Sequence, residues 1–178
     1  FFSTGCYRPR TAEETSHTSS PSMDISKASN FERFIFDMTG RDAEEVRKLW
    51  KEVDNNRPFD ISGTLLWEKI RKSHIISGTS NHKARIEIIR EMHSKYGVLV
   101  DPHTADGLKV GLNYREKNIP LICLETALPA KFSESIVEAI GAEPSRPDGY
   151  DNLEDLPQHF VEMDADAAGI KAFISSNI

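Results

Sequence analysis

Apolar positions recur at helical spacing along most of this chain. Phe31, Phe34, Ile35 and Met38 fall at i, i+3, i+4 and i+7, and Gly40 supplies a stop, which predicts a helix. A second helix opens at Asp42, whose spacing to Glu45 is that of a capping box. It turns Ala43, Val46, Leu49, Trp50 and Val53 inward and ends at Asn55, Asn56 and Pro58. Residues 63–73 read as helix through Leu66 and Ile70, and Ile75 and Ile76 then run into a Ser-Gly-Thr-Ser-Asn break. Residues 82–95 place Ala84, Ile88, Ile89 and Met92 on one face, with Gly97 as the C-terminal signal. Asp101 and Pro102 read as the cap and first residue of a helix over 102–116 that buries Ala105, Leu108 and Leu112.

The pattern changes once. Residues 120–125 hold the continuous run Leu121, Ile122, Cys123 and Leu124, as in a strand covered on both faces. A helix from Pro129 or Lys131 then buries Phe132, Ile136, Val137 and Ile140 before Gly141. After a Pro- and Asp-rich loop at 142–158, Asp164 is expected to cap a final helix with Ile170, Phe173 and Ile174 on one side. One strand among six or seven helices is odd for a complete α/β domain. It suits a piece of a sheet whose other strands lie elsewhere.

The opening residues point the same way. Phe-Phe-Ser-Thr-Gly, with no initiator Met, reads like the last turn of a helix begun earlier, so a fragment is expected. Residues 5–29, with Pro9, Pro21 and many Ser and Thr, read as a polar connector. Apolar residues at 38% and charged residues at 28% are the balance of a globular domain, and a net charge of −6 argues against a nucleic-acid partner. No apolar run approaches the roughly 20 residues that cross a bilayer, so no membrane partner is expected. Cys6 and Cys123 are too few and too far apart for a disulfide framework, and a reducing cytoplasm is their simplest home.

Chemistry is sparse. The common phosphate-loop, dinucleotide, zinc-protease and serine-hydrolase motifs are absent, and the six histidines never pair at metal-ligand spacing, so no metal site is expected. His74, His82 and His93 read as solvated, and Cys123 as an inert residue of an apolar strand. Two places stand out. His103 and Thr104 sit in the first turn of a helix, where free N–H groups attract anions. Thr126 follows the buried strand, where ligands of α/β sheets bind, yet it serves equally well as a cap for the next helix. Pattern alone leaves both readings open.

Three segments carry a resemblance: SPSMDISKASNFER at 20–33, DPHTA at 101–105 and ETALPAKF at 125–132. In this order they resemble the threonine synthases, and the flanking FFSTGCYRPR and DADAAGIKAFI extend the similarity over nearly the whole chain. The resemblance implies an α/β fold: the helix-rich C-terminal portion of the large domain of a fold type II pyridoxal-phosphate enzyme, with few strands. It divides the chain into a connector at 1–29, the end of the cofactor-binding catalytic domain at 30–141, and a loop with C-terminal helix at 142–178.

The implied activity converts O-phospho-L-homoserine and water to L-threonine and phosphate with pyridoxal 5'-phosphate. No catalytic residue is expected in this chain. The family's cofactor lysine and phosphate-cradling loop lie upstream of the SMDI segment, and Lys27, Lys83, Lys109 and Lys131 do not stand in that lysine's context. The implied partner is therefore the remainder of the same enzyme, and the chain alone is expected to be inactive. Thr126 matches the position whose hydroxyl faces the pyridine nitrogen. A neutral hydroxyl there does not hold that nitrogen protonated as a carboxylate would, which leaves a weaker electron sink. His103, Thr104 and Arg33 match segments expected near the substrate, and Arg33 is a bidentate donor suited to phosphate or simply an exposed helix residue. Leu128 departs from the family, where His is common. Two rivals remain: a related lyase giving 2-oxobutyrate, and a non-catalytic module on this half of the scaffold.

Overall fold

The structure, a computed structural model, describes residues 1–11 and 13–178. Among the described residues, seven α-helices and one two-stranded sheet order as β1 (Cys6–Tyr7), α1 (Ser29–Met38), α2 (Ala43–Asp54), β2 (Phe59–Asp60), α3 (Leu65–Arg71), α4 (His82–Tyr96), α5 (Pro102–Asn113), α6 (Ser133–Ile140) and α7 (Ala167–Ser176). The chain separates into two compact units, Phe1–Ser145 and Arg146–Ile178.

Most helix ends follow the expected side-chain logic. Asp42 caps α2 by accepting from the backbone N–H groups of Glu44 and Glu45, and Asn81 caps α4 by accepting from Ala84. Gly97 and Gly141 end α4 and α6 with φ of 67° and 74°, the left-handed conformation that costs glycine least. The last helix differs from expectation: Asp166, not Asp164, caps it through the N–H of Gly169. Ile170, Phe173 and Ile174 share one side but stay exposed within their own unit.

Two hydrophobic clusters hold the first unit. In one, Ile35, Val46, Val53, Phe59, Ile61, Trp67 and Ile70 are buried under a shell of aromatic rings. Phe1 meets Phe31 edge-on at 4.7 Å between centroids, and Tyr7 stacks on Phe31 at 4.9 Å. The polar connector is more anchored than its composition suggests. Tyr7 pairs with Phe59 across the β1–β2 ladder, its hydroxyl accepts from the Ala28 N–H at 2.9 Å, and Ser20 is fully buried. Gly5 starts this ladder at φ 79°, and a Cβ there would lie 2.9 Å from the Ser62 Cα, so no other residue fits without movement.

In the second cluster α4 packs against α5 and α6 around Ile86, Ile88, Ile89, Val100, Ala105, Ile136 and Ala139. Helix α5 ends at Asn113, before the expected 116.

Residues 120–125 depart furthest from expectation. They form no ladder with any described residue, and Ile122 and Leu124 are 81% and 79% exposed. A strand needs a neighbour for its N–H and C=O groups, and the described residues offer none. The alternation of a strand survives nonetheless. A Cβ at Gly107 would lie 3.4 Å from the Cys123 Sγ, and one at Gly111 would lie 3.4 Å from the Leu121 side chain. The segment thus runs along the glycine face of α5 by its odd-numbered side chains.

Ile35→Ala is expected to cost about 2–5 kcal/mol, because Ile35 is wholly buried. Leu65→Ala, at a side chain 89% exposed, is expected to stay within about 0.5 kcal/mol. Denaturant unfolding of both variants measures the contrast.

Candidate functional site

The N-terminus of α5 holds the densest polar group of the described chain. Asp101 caps the helix and is completely buried. Its Oδ1 accepts from the His103 backbone N–H at 2.9 Å and from the His103 Nδ1 at 2.8 Å. Its Oδ2 accepts a short bond from the Thr104 hydroxyl. Burial by itself would push this carboxyl up. The bonds from Thr104, from the His103 ring and from the His103 N–H together outweigh burial and hold it below its ordinary value.

The neighbours are constrained in turn. The His103 Nε2 accepts the Ser22 backbone N–H at 3.0 Å, so that nitrogen carries no proton. The ring is therefore the neutral tautomer with its hydrogen on Nδ1, donated to Asp101. Phe132 meets the same ring edge-on at 4.8 Å between centroids. Thr104 donates to Asp101 and accepts the Thr126 N–H at 3.1 Å. Thr126 Oγ1 lies 3.3 Å from each Asp101 oxygen and 3.4 Å from the Thr104 hydroxyl. Thr126 is nevertheless an exposed residue.

The structure thus joins three of the four residues singled out from the sequence. His103, Thr104 and Thr126 meet on Asp101, whereas Arg33 lies exposed on α1 and makes no hydrogen bond to this group. Both ring nitrogens of His103 and the donor of Thr104 are engaged within the protein. Thr126 does not cap the next helix: the Pro129–Phe132 turn begins after Leu128 and no side chain caps it.

Beside this group lies a second one that the apolar pattern did not reveal. Arg85 is 4% exposed, donates from Nε to Asp106 at 2.9 Å and from a terminal nitrogen to the Ser19 hydroxyl at 2.6 Å. Ser19 also bonds the His82 ring at 2.8 Å, and His82 reaches Glu138 at 2.9 Å. His82 is half-exposed yet fully engaged. The available signal was Arg85 itself, a charged residue three and four positions before Ile88 and Ile89 on the buried stripe. Cys123 carries a thiol pushed up by burial and then by the Asp101 charge, which makes it a poor nucleophile. Among the described residues no cluster suits a metal ion, and no helix is long and apolar enough to cross a membrane.

Comparison with known proteins fits this geometry to a family. Residues 104–174 match the model described as threonine synthase, C-terminal. Threonine synthase of Methylobacillus glycogenes is 56% identical over 178 residues, covering 100% of this chain and 38% of that protein. The chain corresponds to the C-terminal region of threonine synthase. Threonine synthase of Corynebacterium glutamicum is 45% identical across 98% of the chain and 37% of its own length. The crystal structure of PLP-bound threonine synthase from Brucella melitensis superposes with a TM-score of 0.79 at 32% identity, over 98% of this chain and 37% of that one. Yeast threonine synthase, at 24% identity and a TM-score of 0.76, agrees in fold. The helix-rich α/β architecture is accordingly that of a fold type II pyridoxal-phosphate enzyme, and the chain spans about 38% of the length of the first of these threonine synthases.

Replacing Asp101 by Ala strands the donors of His103 and Thr104, at about 1–3 kcal/mol for each. Because the folded-state value of Asp101 is depressed, its contribution to stability is complete above the unfolded carboxyl value of about 3.9. That contribution is lost as pH falls through the lower folded value. Acid unfolding of Asp101→Asn is expected to lack this part of the pH dependence; slopes equal to the parent's would refute it.

Proposed function

We propose that this chain is the C-terminal region of a threonine synthase that converts O-phospho-L-homoserine and water to L-threonine and phosphate with pyridoxal phosphate. In this reading the chain contributes one wall of the cofactor site and no covalent attachment point for it. The observation that carries the reading is the Thr126 hydroxyl, bonded to the buried Asp101 and belonging to an exposed residue. A neutral, directional polar atom at the end of an extended segment fits a pyridine ring nitrogen.

Bound pyridoxal phosphate supplies an electron sink for carbanion character on the substrate. The residues of this chain bind and orient. Thr126 meets the ring nitrogen, Thr104 holds the Thr126 backbone, and His103 ties the loop at Ser22 to Asp101. His103 and Thr104 therefore serve the substrate through position, since their polar atoms are spent inside the protein. Arg33, exposed on α1 without an ion pair among the described residues, is the guanidinium proposed to meet the substrate phosphate.

The whole enzyme carrying this region is expected to release threonine and phosphate in equal amounts from O-phospho-L-homoserine. The chain by itself is expected to release neither. Release of 2-oxobutyrate in place of threonine would transfer the assignment to an eliminating lyase. Loss of the Thr126 hydroxyl in Thr126→Val is expected to lower kcat more than it raises KM, with Thr126→Ser recovering most of the rate; steady-state kinetics of the three proteins decides this.

A further inference from the structure

A braced loop of the connector joins α4 to α5. The Thr18 N–H and hydroxyl both donate to the Asp24 carboxylate, at 2.6 and 2.9 Å, and clasp residues 18–24 into a ring. Inside it Pro21 fixes its own φ at the start of the Pro21–Met23 turn, the Met23 N–H donates to the Ser20 carbonyl at 2.8 Å, and Ser20 is fully buried. A loop so braced moves as one piece. At Ser19 the hydroxyl oxygen accepts from Arg85 at 2.6 Å, so its own hydrogen is free for His82 Nδ1 at 2.8 Å, and the His82 Nε2–H donates to Glu138. At Ser22 the backbone N–H donates to His103 Nε2 at 3.0 Å. The two attachments are unequal. Ser19 is gripped by a charged donor that is 4% exposed and oriented by Asp106, whereas Ser22 holds by one neutral hydrogen bond. Three residues of chain span about 10 Å at most, so the placing of Ser19 decides whether Ser22 reaches the ring.

We infer that Arg85 is a positioning residue for this site: through Ser19 it holds the connector so that the Ser22 N–H stays on His103 Nε2 and the ring stays neutral. The kinetic consequence rests on the reaction proposed above; the state of the ring does not. Among the described residues three groups face the His103 ring: Asp101 from the start of its own helix, the Ser22 N–H from the connector, and Phe132 from the turn beyond Thr126. Of these Asp101 alone is charged. With the Ser22 N–H withdrawn, Nε2 keeps an unshared pair on a ring already bonded to a buried carboxylate, and it takes a proton from water. The imidazolium so formed offsets the Asp101 charge around which the Thr104 and Thr126 hydroxyls are arranged. A guanidinium on α4 thereby keeps the carboxylate at the head of α5 as the single charge of its group.

Nitrogen NMR of the whole enzyme labelled with nitrogen-15 histidine reads the ring directly, His103 being assigned by the signals lost in His103→Gln. The parent is expected to show one protonated and one unprotonated ring nitrogen. Ser19→Ala leaves the Arg85–Asp106 pair in place. It is expected to bring both His103 nitrogens to the protonated position and to lower kcat several-fold with a smaller change in KM. Ser19→Thr, which keeps a hydroxyl there, is expected to restore both readings. Arg85→Met combined with Asp106→Leu strands no buried charge and removes the guanidinium from a folded protein, with the same change of the ring expected. A scaffold-only role for Arg85 would lower the unfolding midpoint of these variants and leave the ring and kcat as in the parent. Either reading unmoved in folded Ser19→Ala overturns the inference. Should the whole enzyme release no threonine, the proposed reaction falls, and the ring signal alone then decides whether Arg85 holds His103.

Discussion

A carboxylate taken wholly out of water has to be surrounded by donors, and Asp101 collects them from two separated parts of the chain and reaches a third through His103. His103 and Thr104 come from its own helix, Thr126 comes from the extended segment 22 residues beyond Thr104, and Ser22 joins through the far side of the His103 ring. Each bond is local and modest. Collectively they decide where the connector at 18–23, the start of α5 and the end of the 120–126 segment stand with respect to one another. The apolar cluster of α4, α5 and α6 supplies the bulk of the packing there, but packing has no direction. The direction comes from the carboxylate.

The same logic recurs one turn along. The guanidinium of Arg85 is buried with Asp106 and the Ser19 hydroxyl, so the connector is held at Ser19 by one ionic group and at Ser22 by another. A buried ion pair of this kind contributes specificity of arrangement more surely than net stability. Here it fixes a Ser- and Pro-rich stretch that has little apolar surface with which to fix itself.

What the sequence made legible follows from this division. Helices announced themselves because periodic apolar residues and caps such as Asp42, Gly97 and Gly141 are local signals. The family was legible in three short segments, and the comparisons agree with it. The role of Asp101 was half legible: its capping function and its bond to Thr104 are local, while its contact with Thr126 depends on a tertiary meeting that spacing does not encode. Residues 120–125 were misread as a covered strand because composition records what a segment can bury, and burial depends on neighbours that these residues do not supply. Arg85 was missed because the apolar pattern of 82–95 carries no sign that a charged residue beside it is buried by Asp106 and Ser19 from elsewhere in the chain.

Gly107 and Gly111 give α5 a side without methyl groups, and the segment leading to Thr126 rests there through Cys123 and Leu121. That contact is a stop rather than an adhesive. It sets how deeply the segment can sink before its end presents the hydroxyl, much as a shim sets the height of a blade. A single added carbon on α5, at either glycine, would press against the Cys123 sulfur or the Leu121 methyl groups at 3.4 Å. The tuning of one polar atom thus resides in two side chains that do not exist.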